Sequence, residues 1–281
     1  MFERQKTGSV VCPGCGRLVG VQDERCWNCG RTRPSLFGFS RALQNLGNEA
    51  VFSTVVIGLC VVIYLLELLM APGRVNTQLG FGFLAPDLEV GVRLGASGAL
   101  IVFDYDRWWT ILSAGWLHGG LLHIAFNMYW VHQLGPVMAR LYGVPRAAII
   151  YLLSSAMGFL VTSAMPIVAP WMPFTHRASV TLGASAAVFG WLGALICYSR
   201  QSGGRMFMRQ VLGMAIPLVL FGLLIPGIDN WAHLGGLAGG YLLASRYGPN
   251  TEERPGQVLV ALVLLVVSLL AVPLSFISWS I

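Results

Sequence analysis

Seven stretches of the chain stay apolar over a length that suits a bilayer, for which a helix takes about 17–25 residues. They fall at residues 51–71, 116–138, 147–166, 183–199, 207–226, 231–245 and 257–279. Each predicts a membrane-spanning helix, although several are interrupted by Gly, Pro, His or Asn and the sixth is short. The first, VFSTVVIGLCVVIYLLELLMA, follows a polar start, MFERQKTGSV, that has neither an apolar core nor a small-residue cleavage site. This run is expected to serve as an uncleaved anchor. Residues 1–35 are polar and hold four of the six cysteines, so they read as a separate module. Residues 36–50 read as a linker or short juxtamembrane helix. The connection after the first run is rich in Gly and aromatics and too apolar for a solvated coil. It predicts a segment folded back on the membrane surface, with Trp108 and Trp109 suited to an aromatic belt. No repeat of fixed period is present.

Composition agrees with this pattern. Of 281 residues, 56% are hydrophobic and 11% charged, against about 25% charged in an average soluble domain. The fold class expected is therefore an all-α polytopic membrane protein. The net charge of +6 is almost all arginine, placed in ones and threes between apolar runs. That placement sets topology and gives no basic stripe with interleaved aromatics, so nucleic acid is not an expected partner. Arg31, Arg33 and Arg41 precede the first run, Arg140 and Arg146 follow the second, Arg200, Arg205 and Arg209 the fourth, and Arg246 and Arg254 the sixth. All four connections belong on the cytosolic side. The opposite connections hold Arg74, Arg93 and Arg107 among four acids, then Arg177 alone, then only Asp229. The expectation is a cell-membrane protein with its N-terminus in the cytosol and its C-terminus outside.

In the N-terminal module, Cys12-x2-Cys15 and Cys26-x2-Cys29 stand ten residues apart, each pair followed by glycine (CPGCG, CWNCG). Two such knuckles place four thiolates around one tetrahedral ion, and the trailing glycines permit the tight turns required. A closed four-cysteine site makes the ion structural, and Zn2+ is the expected cofactor. A redox dithiol pair or two disulfides are the alternatives, and the reducing cytosol disfavours both. The module is similar to a short zinc ribbon whose partner cannot be read. Cys60 and Cys197 lie inside spans and read as packing residues.

Charged side chains at the centre of a span cost about 2.5–3.5 kcal/mol on insertion scales, so polar groups inside spans point to function. The second run holds His118, His123, Asn127, His132 and Gln133. The fourth opens with Gly183-Ala184-Ser185-Ala186, and the sixth with Asp229-Asn230-Trp231-Ala232-His233. All three run from outside to inside, so Ser185, His233, His123 and Asn127 share one level in the outer half of the membrane. His123 and Asn127 are four apart and share a helical face. Ala232, Gly236, Gly240 and Ala244 form a small-residue ridge matching Ala186, Gly190 and Ala194, which lets two backbones approach closely. His118 and His132 read as packing or hydrogen-bonding residues.

These motifs resemble those of the rhomboid intramembrane serine proteases. WLHGGLLHIAFNMYWVHQLG is similar to the family's second span with its His-x-x-x-Asn, GASAAVFGWLGA to its Gly-x-Ser motif, and DNWAHLGGLAGG to its Ala-His-x-x-Gly-x-x-x-Gly motif. The resemblance covers roughly residues 50–246. It implies a six-helix core with a Ser–His dyad, Ser185 as nucleophile and His233 as base, to which the seventh span adds one C-terminal helix. It implies cleavage of transmembrane segments of membrane-protein substrates, with no cofactor for catalysis. The oxyanion would be held by His123, Asn127 and the Ser185 amide, with Gly183, Ala186, Gly190, Gly236 and Gly240 packing the helices. The expected domains are 1–35, a linker 36–50, the core 51–246, and the seventh helix 257–281.

Two departures stand out. Ala186 replaces the glycine usual after the nucleophile. The outer-loop Trp-Arg of many rhomboids reads Trp109-Thr110 here, with Arg107 displaced before Trp108, which puts that arginine's contact in question. Two other classes are the alternatives: a catalytically silent rhomboid-like protein that binds membrane clients, and a transporter. The first would be favoured by loss of the serine or histidine. The second would show polar residues reaching both faces.

Overall fold

Backbone amides inside a bilayer have no water to bond, so an apolar chain must satisfy them within its own helices. The computed structural model describes residues 6–12, 15–35, 49–79, 82–176, 179–247 and 255–279, and in it each of the seven apolar runs contains a long helix. These are α1 Val51–Leu69, α4 Leu121–Tyr142, α5 Val144–Val168, α6 Ser185–Ser202, α7 Arg205–Leu224, α8 Asn230–Arg246 and α9 Pro255–Trp279. Short α2 Leu88–Leu94 and α3 Thr110–Ser113 lie in the connection after α1, separated by a π-helical turn Leu100–Asp104. The fold is an all-α polytopic membrane protein with a six-helix core and a seventh helix.

Among the described residues, α1, α5, α7 and α9 are long and apolar enough to cross a membrane by composition alone. The remaining three, α4, α6 and α8, carry His123, Asn127, Ser185 and His233 together with the ridge glycines Gly190, Gly236 and Gly240. Asn127 and His233 are buried, whereas His132 is exposed, and α1 and α9 present Leu66, Leu69, Val263 and Leu270 on the outside, as lipid requires.

Two helix starts differ from the sequence reading. The second run was expected to be helical from 116 and to contain His118, but Gly120 sits at φ +148°, which a side chain would resist, and α4 begins at Leu121. His118 therefore lies in a tight turn before the helix, fully buried. Gly183, at φ +127°, likewise delays the fourth helix so that Ser185 is its first residue.

Close packing of α6 against α8 is the heart of the second unit, Phe52–Ile281. A methyl group on Gly236 would be driven into the Ala186 carbonyl, one on Gly240 into the Gly190 carbonyl, and one on Gly193 into the Leu237 carbonyl. The two backbones touch along this ridge because nothing larger than hydrogen separates them. Helix α5 joins them at Gly158, where a Cβ would lie 2.5 Å from the Ala232 carbonyl oxygen. The connection after α1 pairs with the segment leading into α6: Ser97 and Thr181 exchange backbone hydrogen bonds of 2.9 and 2.8 Å, and Gly183 N donates to the Ala114 carbonyl at 2.9 Å. Trp109, half-buried, is tied to the last helix. Its Nε1 donates to Ser275 Oγ at 3.0 Å, and the buried Arg107 guanidinium donates to the Val92 and Ser275 carbonyls, the latter in the last turn of α9.

The first unit, Met1–Val51, contains an antiparallel hairpin of β1 Ser9–Val11 and β2 Leu18–Gly20, with Val10 opposite Val19. Val10, Val19, Cys12 and Cys26 form its small core. Most of the expected linker, residues 36–48, lies outside the described residues.

Candidate active site

The site starts from the N-terminus of α6. A helix leaves its first four amides unbonded and concentrates partial positive charge there, and Ser185 stands first in line, with Ala184 supplying no side-chain cap. Its Oγ lies 2.8 Å from His233 Nε2. His233 is the fourth residue of α8, whose start is fixed by Asp229: Oδ1 accepts from Ala232 N and from Thr162 Oγ1 on α5, both at 2.9 Å. The imidazole stacks face to face on Phe189, with centroids 4.2 Å apart and planes 13° apart. Phe189 comes one turn after Ser185 on the same helix, so a single element carries the hydroxyl and the plate that orients its neighbour. His233 Nδ1 has no hydrogen-bond partner among the described residues. For Nε2 to accept the serine proton, the neutral ring must carry its own on Nδ1.

His123 and Asn127 line the same cavity as Ser185 and His233, a space of about 350 Å³. Asn127 is buried, and its Nδ2 gives one hydrogen to the His123 carbonyl at 3.1 Å, leaving the second amide hydrogen of that group for another acceptor. Gly119 N donates to His123 Nδ1 at 3.2 Å, which places the neutral ring's proton on Nε2. That edge of the ring lies beside the turn into α6: a Cβ on Gly183 would sit 2.7 Å from both His123 Cε1 and Nε2. Of the other polar residues in this run, His118 is buried against His123 and His132 is exposed. Phe189, Gly119 and Gly193 were not singled out in sequence. Gly193 was legible as a residue adjoining the small-residue ridge, whereas Phe189 reads as ordinary packing and the role of the Gly119 amide is a backbone matter with no side-chain signal.

In the N-terminal unit the sulfurs of Cys12, Cys15, Cys26 and Cys29 all lie within 4.8 Å of one another. Cys12 and Cys29 sulfurs are 3.8 Å apart, and those of Cys15 and Cys26 3.6 Å. A tetrahedral ion with bonds of about 2.3 Å to sulfur requires edges of about 3.8 Å, so the cluster fits one metal ion. Gly16 and Gly30, the trailing glycines, adopt φ of +71° and +73° and donate back to the Cys12 and Cys26 carbonyls. The Arg17 amide and then the Asn28 side chain lower the Cys15 thiol to about 6. Cys29 is pushed up to about 11: the Arg31 amide favours its thiolate, but desolvation and the other three sulfurs outweigh that pull.

A polytopic helical membrane protein with a serine and a histidine in hydrogen-bond contact at adjoining helix starts is the class these features define. Residues 105–250 match the family described as the Rhomboid domain. The chain belongs to the rhomboid family. It is 33% identical over 182 residues to Rhomboid protease GluP of Bacillus subtilis, which is 63% of this chain and 33% of that protein. It is 32% identical over 168 residues to RHOMBOID-like protein 4 of Arabidopsis thaliana (57% and 39%). It is also 32% identical over 144 residues to Rhomboid-type serine protease 2 of Emericella nidulans (49% and 26%). The matched region thus spans well under half the length of each of these relatives.

Proposed function

We propose that this chain is an intramembrane serine endopeptidase that cleaves transmembrane segments of membrane proteins through a Ser185–His233 dyad near the outer side of the bilayer. The observation that carries the reading is the 2.8 Å contact between Ser185 Oγ and His233 Nε2 inside a cavity shared with His123 and Asn127. Ser185 Oγ attacks the scissile carbonyl carbon while His233 Nε2 takes its proton. The resulting oxyanion is received by the Ser185 amide, His123 Nε2–H and Asn127 Nδ2–H, donors aimed before the reaction begins. His233 then returns the proton to the departing amine nitrogen, the C–N bond breaks, and an acyl ester remains on Ser185. Water, deprotonated by His233, attacks that ester and releases the new carboxylate, restoring both side chains. A fully bonded helix hides its carbonyls, so the substrate is a segment that unravels readily.

The arginine-bearing connections support a cytosolic N-terminus, with the C-terminus and the site opening outside. The domains are assigned as 1–35, 36–50, 51–246 and 257–281, and the bilayer and its transmembrane substrates are the partners. We assign Zn2+ to Cys12, Cys15, Cys26 and Cys29. It supplies a structural cross-link between the two knuckles and takes no part in catalysis.

The test is labelling with a fluorophosphonate, together with cleavage of a transmembrane reporter by purified protein. Label on Ser185 and loss of cleavage in Ser185→Ala, His233→Ala and, to no greater extent, the double variant are expected, because nucleophile and base act as one unit. Wild-type cleavage by unlabelled Ser185→Ala would sink the reading.

A further inference from the structure

The first helix contributes one residue that neither lipid contact nor packing accounts for. Glu67, third from the end of α1, is fully buried, and an acid inside a span is expensive enough to demand a use. Its Oε2 accepts from His118 N at 3.2 Å, and its Oε1 has no partner. His118 is itself fully buried, neither ring nitrogen has a partner, and the ring meets that of His123 edge to face with centroids 5.3 Å apart. The next amide, Gly119 N, is the one that donates to His123 Nδ1.

We infer that Glu67 is a positioning residue for His123, acting through the 118–119 turn to fix which ring nitrogen carries the proton facing the reacting carbonyl. This rests on the oxyanion role proposed above for His123. The turn needs such an anchor because it precedes the helix, contains two glycines in succession and has no ladder of its own. If the carboxyl did not hold the His118 amide, the Gly119 N–H would lose its aim. The imidazole could then place its proton on Nδ1 and present an Nε2 lone pair where the oxyanion forms, turning a donor into a repulsive acceptor. A glutamine at 67 keeps an acceptor oxygen of the same reach, whereas a leucine keeps only the volume.

The experiment compares Glu67→Gln and Glu67→Leu in the full chain, each also combined with His123→Ala. Cleavage of the reporter should fall about 10²-fold in kcat for Glu67→Leu with KM unchanged, the loss expected when a reacting group is misplaced. Glu67→Gln should stay within about threefold of wild type, since it preserves the hydrogen bond. On the His123→Ala background Glu67→Leu should add less than about twofold, because its target is gone. A full additional loss there, or wild-type kcat in Glu67→Leu, overturns the inference while leaving the oxyanion role intact. Wild-type kcat in His123→Ala removes both. Should Glu67→Leu not fold, the ¹⁵N spectrum of the wild-type protein labelled at its five histidines decides: a His123 signal protonated at Nε2 that persists in Glu67→Gln supports the inference, and one protonated at Nδ1 overturns it.

Discussion

Replacing Gly236 by alanine tests whether backbone contact sets the catalytic distance. The added methyl would lie 2.9 Å from the Ala186 carbonyl carbon and closer still to its oxygen, where carbon–carbon contacts settle at about 3.5–4.0 Å. Neither partner is the tip of a flexible side chain, so α6 and α8 must separate by at least about 0.6 Å, and by more to clear the oxygen. Ala186 adjoins Ser185, and Gly236 is one turn beyond His233, so the opening falls at the dyad. Its 2.8 Å contact would stretch to about 3.4 Å or beyond, the limit of a useful hydrogen bond. The expected result is a fall of about 10²-fold in kcat for a transmembrane reporter, slower fluorophosphonate labelling, and destabilisation of about 1–3 kcal/mol from overpacking. Gly213→Ala on α7 is the control, since a Cβ there meets nothing within 4 Å; it should cleave normally and unfold no earlier. A Gly236→Ala protein with wild-type kcat and an unchanged unfolding temperature would refute the reasoning.

Three further outcomes are expected. Asn127→Ala should fold normally and cleave roughly 10²–10³-fold more slowly, about 2.7–4 kcal/mol of lost oxyanion stabilisation, while His132→Ala, exposed and more than two turns beyond His123 along α4, should keep its activity in the same assay. Metal analysis should find about one zinc per chain, absent when Cys12 and Cys15 become serine, and cleavage should survive removal of residues 1–35. Because the Cys29 thiol is pushed up to about 11 and must lose its proton to bind, ion binding releases protons and weakens as pH falls; a chelating dye should capture progressively more of the ion as pH is lowered from about 7.5.

Much of this was legible in residue order. The apolar runs foretold each long helix among the described residues because a bilayer leaves the backbone few options, and His123, Asn127, Ser185 and His233 stood out because polar groups are rare in spans. Helix starts were missed where glycine φ decided them, at Gly120 and Gly183, since composition does not reveal which glycine adopts a positive angle. Phe189 under His233 was hidden by its ordinariness: an aromatic in an apolar run is usually packing. The Trp109-Thr110 departure looked like a lost arginine contact, yet Arg107 reaches Val92 and Ser275 from the other side of Trp108. A contact spanning 168 residues leaves no local trace.

That contact also bears on the order in which the protein is built. Arg107 and Trp109 hold the last turn of α9, a favourable place for a cation because a helix ends in unbonded carbonyls. The chain leaves the ribosome N-terminus first, so the segment that pairs with Thr181 ahead of Ser185 is made before its fastening point on α9. The connection after α1 therefore gains this fastening only once α9 has followed α8 into the membrane.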